Sequence, residues 1–564
     1  MGASTRIIGP DSVTDLPRPE YPRPRLRRRD WLNLNGPWEF GVGERRAFDR
    51  EIVVPFCPQS SLSGIGERLT EDVVWYRRRF DAPQAERLHL HFGAVDYRAT
   101  VWVNGEEVAH HEGGHTPFTA DITAVVRAGD NEVMVRAEDP LTDRTIPRGK
   151  QYWKKTSEGI FYTPTTGIWQ TVWLEPLPAK SIGTVDITPD PTGWAVDFEI
   201  GGEGRKEVVV TLDGREVGHW FGSAPQGRIA LDEVVAWSPE SPRLYGFEVS
   251  LFDRAGRVLD HVSSYFGLRT IETSEGRLIL NGEPYVPRLV LDQGYFPGGL
   301  LTAAADRDLR RDIAMAKSMG FNGARKHQKV EDPRWLYWAD VLGFLVWGEM
   351  ANFHQHSRDA ERRLEAEWTE VVTRDRGHPS IVTWVPMNES FGLEGMQPAA
   401  EAHFLDRLYR LTKELDATRP VISNDGWEHA QTDICTVHDY NPAHILRRRY
   451  RAERSALDPA GHPRQLYLPG YEFGGEPLFV SEFGGVAITG SAGFGWSEAK
   501  GPDALLETYR EMVEALMDKG PVQGFCYTQL TDVEQEQNGL LTFDRRPKVD
   551  AERIRAVTET PKRR

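Results

Sequence analysis

Short runs of alternating apolar and polar residues fill the first half of the chain. They are rich in β-branched and aromatic residues, and Asn-Gly, Pro or Gly-Asp signals separate one run from the next. Asn104-Gly105 is a pair whose residues accept the positive φ angles of a two-residue hairpin turn. The pattern predicts an antiparallel β-sandwich from Trp31 onward. The clearest runs are 34–40, 73–80, 88–95, 99–108, 131–138 and 171–176.

A second series of β-type runs lies between residues 178 and 271. About 90 residues with some seven short strands is the size of an immunoglobulin-like sandwich, so we expect that fold here. Neither β region contains a group of side chains suited to catalysis. We therefore expect both to act as scaffold or to shape the substrate site.

The pattern changes after Pro284, where apolar runs alternate with amphipathic segments. Eight strands with helices between them over about 290 residues predict a (β/α)8 TIM barrel. The segment 443–456, between strands six and seven, has the weakest helical pattern. The predicted strands are 285–294, 321–327, 344–350, 381–389, 420–425, 433–441, 478–485 and 522–532. The predicted helices are 306–319, 332–342, 360–376, 399–416 and 503–518.

These patterns divide the chain into three predicted domains. The N-terminal sandwich with an extended arm covers 1–178, the immunoglobulin-like sandwich 179–271 and the catalytic barrel 272–564. The arm is rich in Pro and Arg, and we expect it to lie extended over another domain. Its basic run from Arg23 to Arg29 precedes no apolar segment of about 7–15 residues, so it is not a secretion signal. We predict a solvated arm instead.

Composition narrows the possible partners and the compartment. The formal net charge of −16 argues against nucleic acid and against anionic membranes as partners. No apolar stretch is long enough to span a bilayer. Cys57, Cys435 and Cys526 lie far apart beside apolar residues, which predicts a reduced, cytoplasmic protein without a disulfide framework.

Two carboxylates end predicted barrel strands. Glu389 ends strand four and Glu482 ends strand seven, and the ends of barrel strands share one face. A retaining glycosidase needs two carboxyl groups about 5–5.5 Å apart, one as nucleophile and one as acid and then base. The alternative is that each glutamate is a member of a structural ion pair. Two of them at matching strand ends favour hydrolysis of a glycosidic bond.

Neighbouring residues suggest how the two glutamates divide the work. Asn388 can donate to a sugar hydroxyl beside the reacting carbon, which makes Glu389 the acid/base. Glu482 must stay ionised, and Arg325 at the end of strand two is the candidate cation.

Further side chains at strand ends are candidates for the sugar site. His438 or Tyr440, at the end of strand six, could give Glu482 a hydrogen bond. Tyr527 on strand eight, together with Trp347, could form the floor under the sugar. A purely structural role is the alternative for each of these residues.

At this point the sequence resembles glycoside hydrolase family 2, which contains β-galactosidases, β-glucuronidases and β-mannosidases. The resemblance covers nearly the whole chain and implies an N-terminal jelly roll that binds sugar. It also implies a retaining exo-mechanism without an organic cofactor, with Glu389 as acid/base and Glu482 as nucleophile. The similar segments are 31–40, 101–123, 167–176, 378–390 and 476–485.

Two departures from the family pattern concern the sugar. The segment Arg325-Lys-His327-Gln-Lys329 has its histidine one place early and lacks the Tyr-Pro that follows in galactosidases and glucuronidases. We expect Arg325, Lys326, His327 and Asp292 to contact the sugar. Lys326 and Lys329 leave an acidic sugar open.

The second departure is the absence of the Asn-x-Lys motif by which glucuronidases hold a carboxylate. The acidic segment 532–539 stands in that region and would repel a uronate. A β-galactosidase-like activity is therefore the expectation, with β-galactofuranosidase or α-L-arabinofuranosidase as alternatives and β-glucuronidase placed behind them.

Other readings concern metals, partners and protein class. His110, His111 and His115 are close in sequence, but their segment reads as a loop, so we predict no metal site. The expected partner is a small-molecule or oligosaccharide glycoside, and the sequence leaves a homo-oligomer open. A protein of another class, a non-catalytic carbohydrate-binding protein on a decayed barrel, is disfavoured because both glutamates and Asn388 are present.

Overall fold

The structure is a computed structural model that describes residues 16–563, and its N-terminal part is an antiparallel β-sandwich. Its strands are β1 (Leu32–Asn33), β2 (Gly36–Val42), β3 (Arg50–Val54), β4 (Val73–Asp81), β5 (Arg87–Phe92), β6 (Val95–Asp96), β7 (Arg98–Val103), β8 (Glu106–Glu112), β9 (Phe118–Asp121), β10 (Asp130–Glu138), β11 (Gly167–Ile168) and β12 (Val172–Leu177). Six strands form one sheet in the order β3-β2-β4-β10-β7-β8, and four form another in the order β1-β12-β5-β9. One apolar core, which includes Trp38, Phe40 and Tyr76, gathers residues from both sheets.

The predicted hairpin is present between β7 and β8. Asn104 and Gly105 have φ angles of 52° and 88°, as a two-residue turn of this type requires. His110 and His111 consequently lie on strand β8, which corrects the expectation of a loop in this segment. The strand forms because the hairpin places these residues opposite β7, with His111 beside Ala99.

The second part of the chain is a seven-stranded sandwich. Its strands are β13 (Val185–Asp190), β14 (Ala195–Ile200), β15 (Arg205–Leu212), β16 (Arg215–Gly222), β17 (Gln226–Ala230), β18 (Tyr245–Phe252) and β19 (Val258–Phe266). Three strands pair in the order β13-β14-β17 and four in the order β16-β15-β18-β19. Both the size and the number of strands agree with the predicted immunoglobulin-like sandwich.

A small antiparallel sheet leads into the barrel, followed by parallel strands and helices in alternation. The small sheet contains β20 (Ile271–Ser274), β21 (Arg277–Leu280) and β22 (Glu283–Pro284). The barrel strands are β23 (Arg288–Asp292), β24 (Gly323–Lys326), β25 (Leu345–Glu349), β26 (Ile381–Val385), β27 (Cys435–His438), β28 (Leu478–Gly484) and, after the short pair β29 (Val486–Ile488) and β30 (Ser497–Ala499), β31 (Val522–Thr528). Seven of them pair in the order β26-β25-β24-β23-β31-β28-β27.

The helices lie between these strands and pack on the outside of the sheet. They are α1 (Asp306–Ser318), α2 (Pro333–Leu342), α3 (Arg358–Asp375), α4 (Pro398–Leu415), α5 (Ala443–Arg449), α6 (Glu453–Ala456), α7 (Pro502–Leu516) and α8 (Ala551–Thr558). Helix α2 shows why the boundaries fall where they do. Asp332 accepts a hydrogen bond from the Arg334 amide, Pro333 opens the first turn, and Gly343 ends the helix in the left-handed region.

The predicted TIM barrel is confirmed, with one irregular strand. Segment 420–425, the predicted fifth strand, forms isolated bridges from Val421 to Trp384 of β26 and from Asp425 to Asn388 just after it. The Val421 amide donates to the carboxylate of Asp433, so a side chain takes the place of a partner strand there. This is why the regular sheet contains seven strands and the fifth follows the same curve without a full ladder.

The N-terminal arm lies against other parts of the protein, and only part of it is solvated, including the exposed Arg27 and Arg29. Arg28 is 6% exposed and contacts the carboxylates of Glu175 and Asp260, one on each sandwich. Arg18 is 3% exposed and contacts Asp332 at the start of α2. The prediction of a solvated basic run is therefore wrong for Arg28, because buried carboxylates compensate its charge. The first fifteen residues of the arm lie outside the described part of the chain.

The remaining expectations concern cysteines and membranes. Cys57, Cys435 and Cys526 are each buried and free. Within residues 16–563, none of the helices combines the length and the apolar character that a bilayer crossing requires.

Candidate active site

A cavity of about 610 Å³ opens where the barrel strands end at their carboxyl side. Its volume is in the range of about 300–1,000 Å³ that is usual for small-molecule sites. Five of the residues proposed from sequence line it: His327, Glu389, His438, Tyr440 and Glu482. The barrel thus brings side chains from β24, β26, β27 and β28, or from the turns after them, to one place.

The two glutamates face each other across this cavity. A carboxylate oxygen of Glu389 and one of Glu482 lie within 4.8 Å of each other. That separation is near the value of about 5–5.5 Å for a retaining enzyme and below the range of about 6.5–9.5 Å that leaves room for a water in an inverting one. The arrangement is suited to attack by one carboxylate on the anomeric carbon while the other group serves the leaving group.

Arg325 is completely buried on β24 and holds several site residues at once. Its Nη1 donates to Oε1 of Glu482 at 2.8 Å, and its Nη2 donates to Oδ1 of Asn388 at 2.6 Å. Nε donates to Glu349 on the neighbouring strand at 2.8 Å, and Nη1 lies 2.8 Å from Asp425. Burial opposes the charge of the guanidinium, but these carboxylates raise the pKa of Arg325 well above its usual value. The arginine therefore stays charged.

Glu482 is kept ionised by its neighbours. Burial acts to raise the pKa of the carboxyl, but the charges of His438 and Arg325 and a hydrogen bond from Tyr440 lower it to about 2. The Tyr440 hydroxyl donates to Oε2 of Glu482 and lies 3.1 Å from the Thr528 hydroxyl. An ionised carboxylate, oriented at both oxygens, is what a nucleophile in this reaction requires.

Glu389 has an unusual backbone conformation. Glu389 and Ser390 have φ angles of 54° and 53°, in the left-handed region that few non-glycine residues adopt. The Glu389 amide donates to the carbonyl of Asp425, and the Ser390 amide donates to the side chain of Asn424. These contacts with the irregular fifth strand hold the turn that directs Glu389 toward the cavity.

The side-chain amide of Asn388 has a hydrogen-bonded oxygen and an unpartnered nitrogen. Its oxygen accepts from Arg325, whereas its Nδ2 has no hydrogen-bond partner among residues 16–563. A buried amide donor without a partner is uncommon. It matches the predicted role of Asn388 as a donor to a sugar hydroxyl.

Sequence comparison supports the same chemistry. The family description "Glycosyl hydrolase 2 galactose-binding domain-like" matches residues 65–163, and "Glycosyl hydrolases family 2" matches residues 182–269. The description "Glycosyl hydrolases family 2, TIM barrel domain" matches residues 302–491. The chain belongs to glycoside hydrolase family 2. It is accordingly a glycoside hydrolase, of the exo-acting kind.

Proteins of more than one specificity resemble this family 2 chain. A β-glucuronidase of Paenibacillus borealis is 27% identical, and the match covers 95% of this chain and 98% of that protein. A β-galactosidase of Thermoanaerobacter pseudethanolicus is 28% identical, with 70% of this chain and 55% of that protein covered. The expectation of a β-galactosidase is not confirmed by these relatives.

A solved structure confirms the fold over almost the whole length. The β-glucuronidase from Ruminococcus gnavus in complex with D-glucuronic acid superposes with a TM-score of 0.78 at 20% sequence identity. The superposition covers 95% of this chain and 99% of that one. At this identity the likeness shows the arrangement of the three domains and leaves the sugar to be argued from the cavity.

Arg325 and Asn388 lie behind the cavity wall, and four further residues proposed for the sugar site lie away from it. Lys326 points to the outside of the barrel, where its Nζ lies 2.7 Å from both Asp292 and Glu331. Trp347 and Tyr527 are fully buried, Trp347 in the inner barrel core and Tyr527 against the helices outside it. The predicted contacts of Asp292, Lys326, Trp347 and Tyr527 with sugar are therefore corrected: ion pairing and core packing occupy these side chains.

Several residues of the cavity wall were not predicted from sequence. Trp427 and Trp496 line the cavity in place of the expected aromatic floor, and Trp496 stacks on Tyr440 with ring centres 4.6 Å apart. Lys150 and Glu536 also line it. Aromatic residues near the barrel ends are numerous in this sequence, and periodicity alone does not indicate which of them line the sugar site.

Lys150 reaches the cavity from the N-terminal sandwich. It lies in the segment between β10 and β11, is 6% exposed, and its Nζ is 5.7 Å from the ring centre of Phe161. Within residues 16–563 its Nζ makes neither an ion pair nor a hydrogen bond, although its charge acts on the nearby carboxyl group of Glu536. An ammonium group in such a place favours an anion or an oxygen acceptor on the ligand.

The acidic segment 532–539 is less repulsive to an anion than its sequence implies. Asp532 contacts Lys548 at 2.6 Å. Glu534 accepts from the amide of Thr163. Glu536 accepts from the hydroxyl of Tyr162 at 2.5 Å, and burial raises its pKa. The argument from charge against an acidic sugar therefore loses most of its force.

Proposed function

We propose that this family 2 enzyme is a retaining β-glucuronidase, which releases terminal glucuronic acid from the non-reducing end of its substrate. Lys150 carries the proposal, because it places a positive charge that forms no ion pair in the wall of the cavity. A uronate carboxylate would supply the missing partner. The relative from Paenibacillus borealis, a β-glucuronidase matched over nearly its whole length, supports the same sugar.

The reaction proceeds in two displacements at the anomeric carbon. Glu482 attacks this carbon as Glu389 delivers a proton to the leaving oxygen, and a glycosyl ester of Glu482 forms. Water then attacks the same carbon, Glu389 accepts its proton, and the ester bond breaks. Arg325 and Tyr440 hold Glu482 ionised and oriented before the first step. The partnerless Nδ2 of Asn388 supports a contact with the sugar hydroxyl next to the reacting carbon.

A neutral sugar is the second candidate, and Glu536 favours it. Its carboxyl group lines the cavity and can accept hydrogen bonds from hydroxyl groups. The Asn-x-Lys motif of glucuronidases is also missing from the sequence after Tyr527. A β-galactopyranoside, a β-galactofuranoside or an α-L-arabinofuranoside would suit such a site.

A panel of nitrophenyl glycosides separates these candidates. Wild type and Glu482→Ala are assayed side by side on the β-glucuronide, β-galactopyranoside, β-galactofuranoside and α-L-arabinofuranoside. The proposal requires kcat/KM to be highest for the β-glucuronide and hydrolysis to be lost in Glu482→Ala. Preference for one of the neutral sugars would reject β-glucuronidase and select the second candidate. The absence of hydrolysis on all four would count against both.

A further inference from the structure

The hydroxyl group of Ser390, the residue after the candidate acid, is shared by two carboxyl groups. Its Oγ lies 2.7 Å from Oε1 of Glu401, in the first turn of α4, and 2.7 Å from Oε2 of Glu428. Ser390, Glu401 and Glu428 are 1%, 6% and 8% exposed, so solvent has little access to them. Nδ2 of Asn424 donates to the same Oγ at 3.0 Å. Three partners therefore surround one hydroxyl oxygen.

These three contacts require one proton more than the hydroxyl group supplies. A hydroxyl donates once and accepts twice, whereas an ionised carboxylate only accepts. With the bond from Asn424 in place, Oγ of Ser390 can donate to one carboxylate and accept from one further donor. The second carboxyl group at 2.7 Å has to bring a proton of its own, because two oxygen lone pairs at that distance repel each other. One of the two glutamates is therefore a neutral acid.

The surroundings of the two glutamates place this proton on Glu401. Arg464 contacts both oxygens of Glu428, at 2.7 Å and 3.2 Å, and so favours the ionised form of that group. Glu401 has no such arginine or lysine within 4 Å among residues 16–563. Burial is the largest influence on Glu401 and raises its pKa, as do the charges of Glu428 and Glu394. The hydrogen bond with Ser390 and the charge of Arg464 oppose this rise without cancelling it.

Ser390 connects this cluster to Glu389. The two neighbours have φ angles of 53° and 54°, a conformation that costs free energy and persists only where the surroundings enforce it. The Ser390 amide is held by Oδ1 of Asn424 at 2.9 Å, and its hydroxyl is held by the two carboxyl groups. Loosening the hydroxyl would let this turn relax, and the carboxyl group of Glu389 would then leave its place at the cavity.

We propose that Glu401 is a protonated positioning residue, which fixes the turn of the general acid Glu389 through Ser390. The proton of Glu401 completes the hydrogen bonds of the Ser390 hydroxyl, and the fully bonded hydroxyl holds the backbone that directs Glu389 into the cavity. Glu401 is not part of the cavity wall, so it acts only through its neighbours. The inference rests on the role proposed above for Glu389 but not on the identity of the sugar.

Ionisation of Glu401 would remove this effect. One hydroxyl proton would then face two carboxylates, and Glu401 and Glu428 would repel each other. The positioning effect is therefore complete below the usual pKa of a glutamic acid and is lost as the pH rises through the raised pKa of Glu401. A glutamine at this position has a similar size and a permanent donor, so it should keep the contact with Ser390 at every pH.

The experiment compares wild type with Glu401→Ala and Glu401→Gln over a range of pH. The substrates are aryl glycosides of whichever sugar the wild type hydrolyses, with poor and with activated leaving groups. Glu401→Ala should lower kcat/KM about 10- to 100-fold for poor leaving groups, which need the acid, and little for activated ones. Glu401→Gln should recover most of this loss, and its rate relative to wild type should rise with pH. Glu414→Gln, at an exposed position of the same helix, is the matched control and should follow wild type at every pH.

Equal losses in Glu401→Gln and Glu401→Ala would overturn the proposal, because the donor at position 401 would then have no effect. Equal losses on poor and activated leaving groups would also overturn it, since Glu389 would not be the group affected. If Glu401→Ala does not fold, Glu401→Gln and ¹³C NMR of labelled glutamate decide. The carboxyl resonance that Glu401→Gln removes should titrate at higher pH than those of exposed glutamates, and titration together with them would overturn the proposal. A wild type inactive on every glycoside would refute the proposed function, and the NMR titration would still test the proton on Glu401.

Discussion

Replacing Lys150 by methionine tests the proposed sugar directly. The change removes an unpaired ammonium group from the cavity wall and keeps a side chain of similar length and apolar bulk. Lys150 carries no ion pair within residues 16–563, and Glu536, the carboxyl group on which its charge acts, keeps its hydrogen bonds from Tyr162 and Asn538. The fold should therefore be retained, and the effect should appear in substrate binding and rate.

The size of the effect follows from the contact that is lost. A hydrogen bond to a charged group contributes about 1.5–3 kcal/mol, and Lys150 is only 6% exposed, so solvent screens it little. Since about 1.4 kcal/mol corresponds to a factor of ten, kcat/KM for nitrophenyl β-glucuronide should fall about 10- to 150-fold. Lys150→Arg keeps the charge and should retain most of the activity. Lys155→Met, an exposed lysine of the same segment, is the matched control and should behave as wild type.

The reasoning fails if Lys150→Met hydrolyses the β-glucuronide as wild type does. It fails equally if hydrolysis of the β-glucuronide and of a neutral glycoside falls by the same factor, since a charge contact should discriminate between them. Circular dichroism and thermal unfolding of each variant show whether the protein is intact.

Three further results are expected. Tyr440→Phe should lower kcat about 10- to 100-fold and move the acid limb of the pH profile to higher pH. The reason is that Glu482 loses a hydrogen-bond donor that favours its ionised form. An acid limb that stays at the same pH would contradict this. Trp496→Ala should raise KM for aryl glycosides about 2- to 10-fold and leave KM for the glycosyl fluoride unchanged. Trp496 is 49% exposed at the cavity, where its ring can contact an aromatic leaving group. Equal effects on both substrates would show that it does not contact the leaving group. Arg28→Met should reduce the free energy of unfolding by about 3–5 kcal/mol in urea titrations, because the buried Asp260 loses its arginine and Glu175 keeps only Arg23 of its two. Arg215→Met, at an exposed pair, should change it by less than about 1 kcal/mol.

Sequence periodicity was sufficient to predict the barrel and to predict that Glu389 and Glu482 lie in one site. A strand that ends in a carboxylate has a defined position in a parallel barrel, so two such strands predict a shared site. The same logic was wrong for Lys326. Successive residues of a strand point to opposite faces, so Arg325 enters the barrel while Lys326 faces helix α2, where its Nζ is 4.5 Å from the ring centre of Trp335.

Other parts of the site depend on contacts that no local pattern reports. Trp347 and Tyr527 belong to strands that end at the site, but their positions along those strands place them in the core. Lys150 comes from a different sandwich, and only the packing of that sandwich on the barrel brings it to the cavity. The basic arm shows the same limit, because its carboxylate partners are distant in sequence.

Because Lys150 lies outside the barrel, different parts of the gene encode the groups proposed for bond cleavage and for sugar recognition. Bond cleavage depends on glutamates in the barrel, whereas a group suited to recognising the sugar is encoded in a connection of the first sandwich. Mutations in that connection can alter substrate preference without touching the residues that break the bond. Directed evolution toward another sugar should therefore begin with the codons around 150.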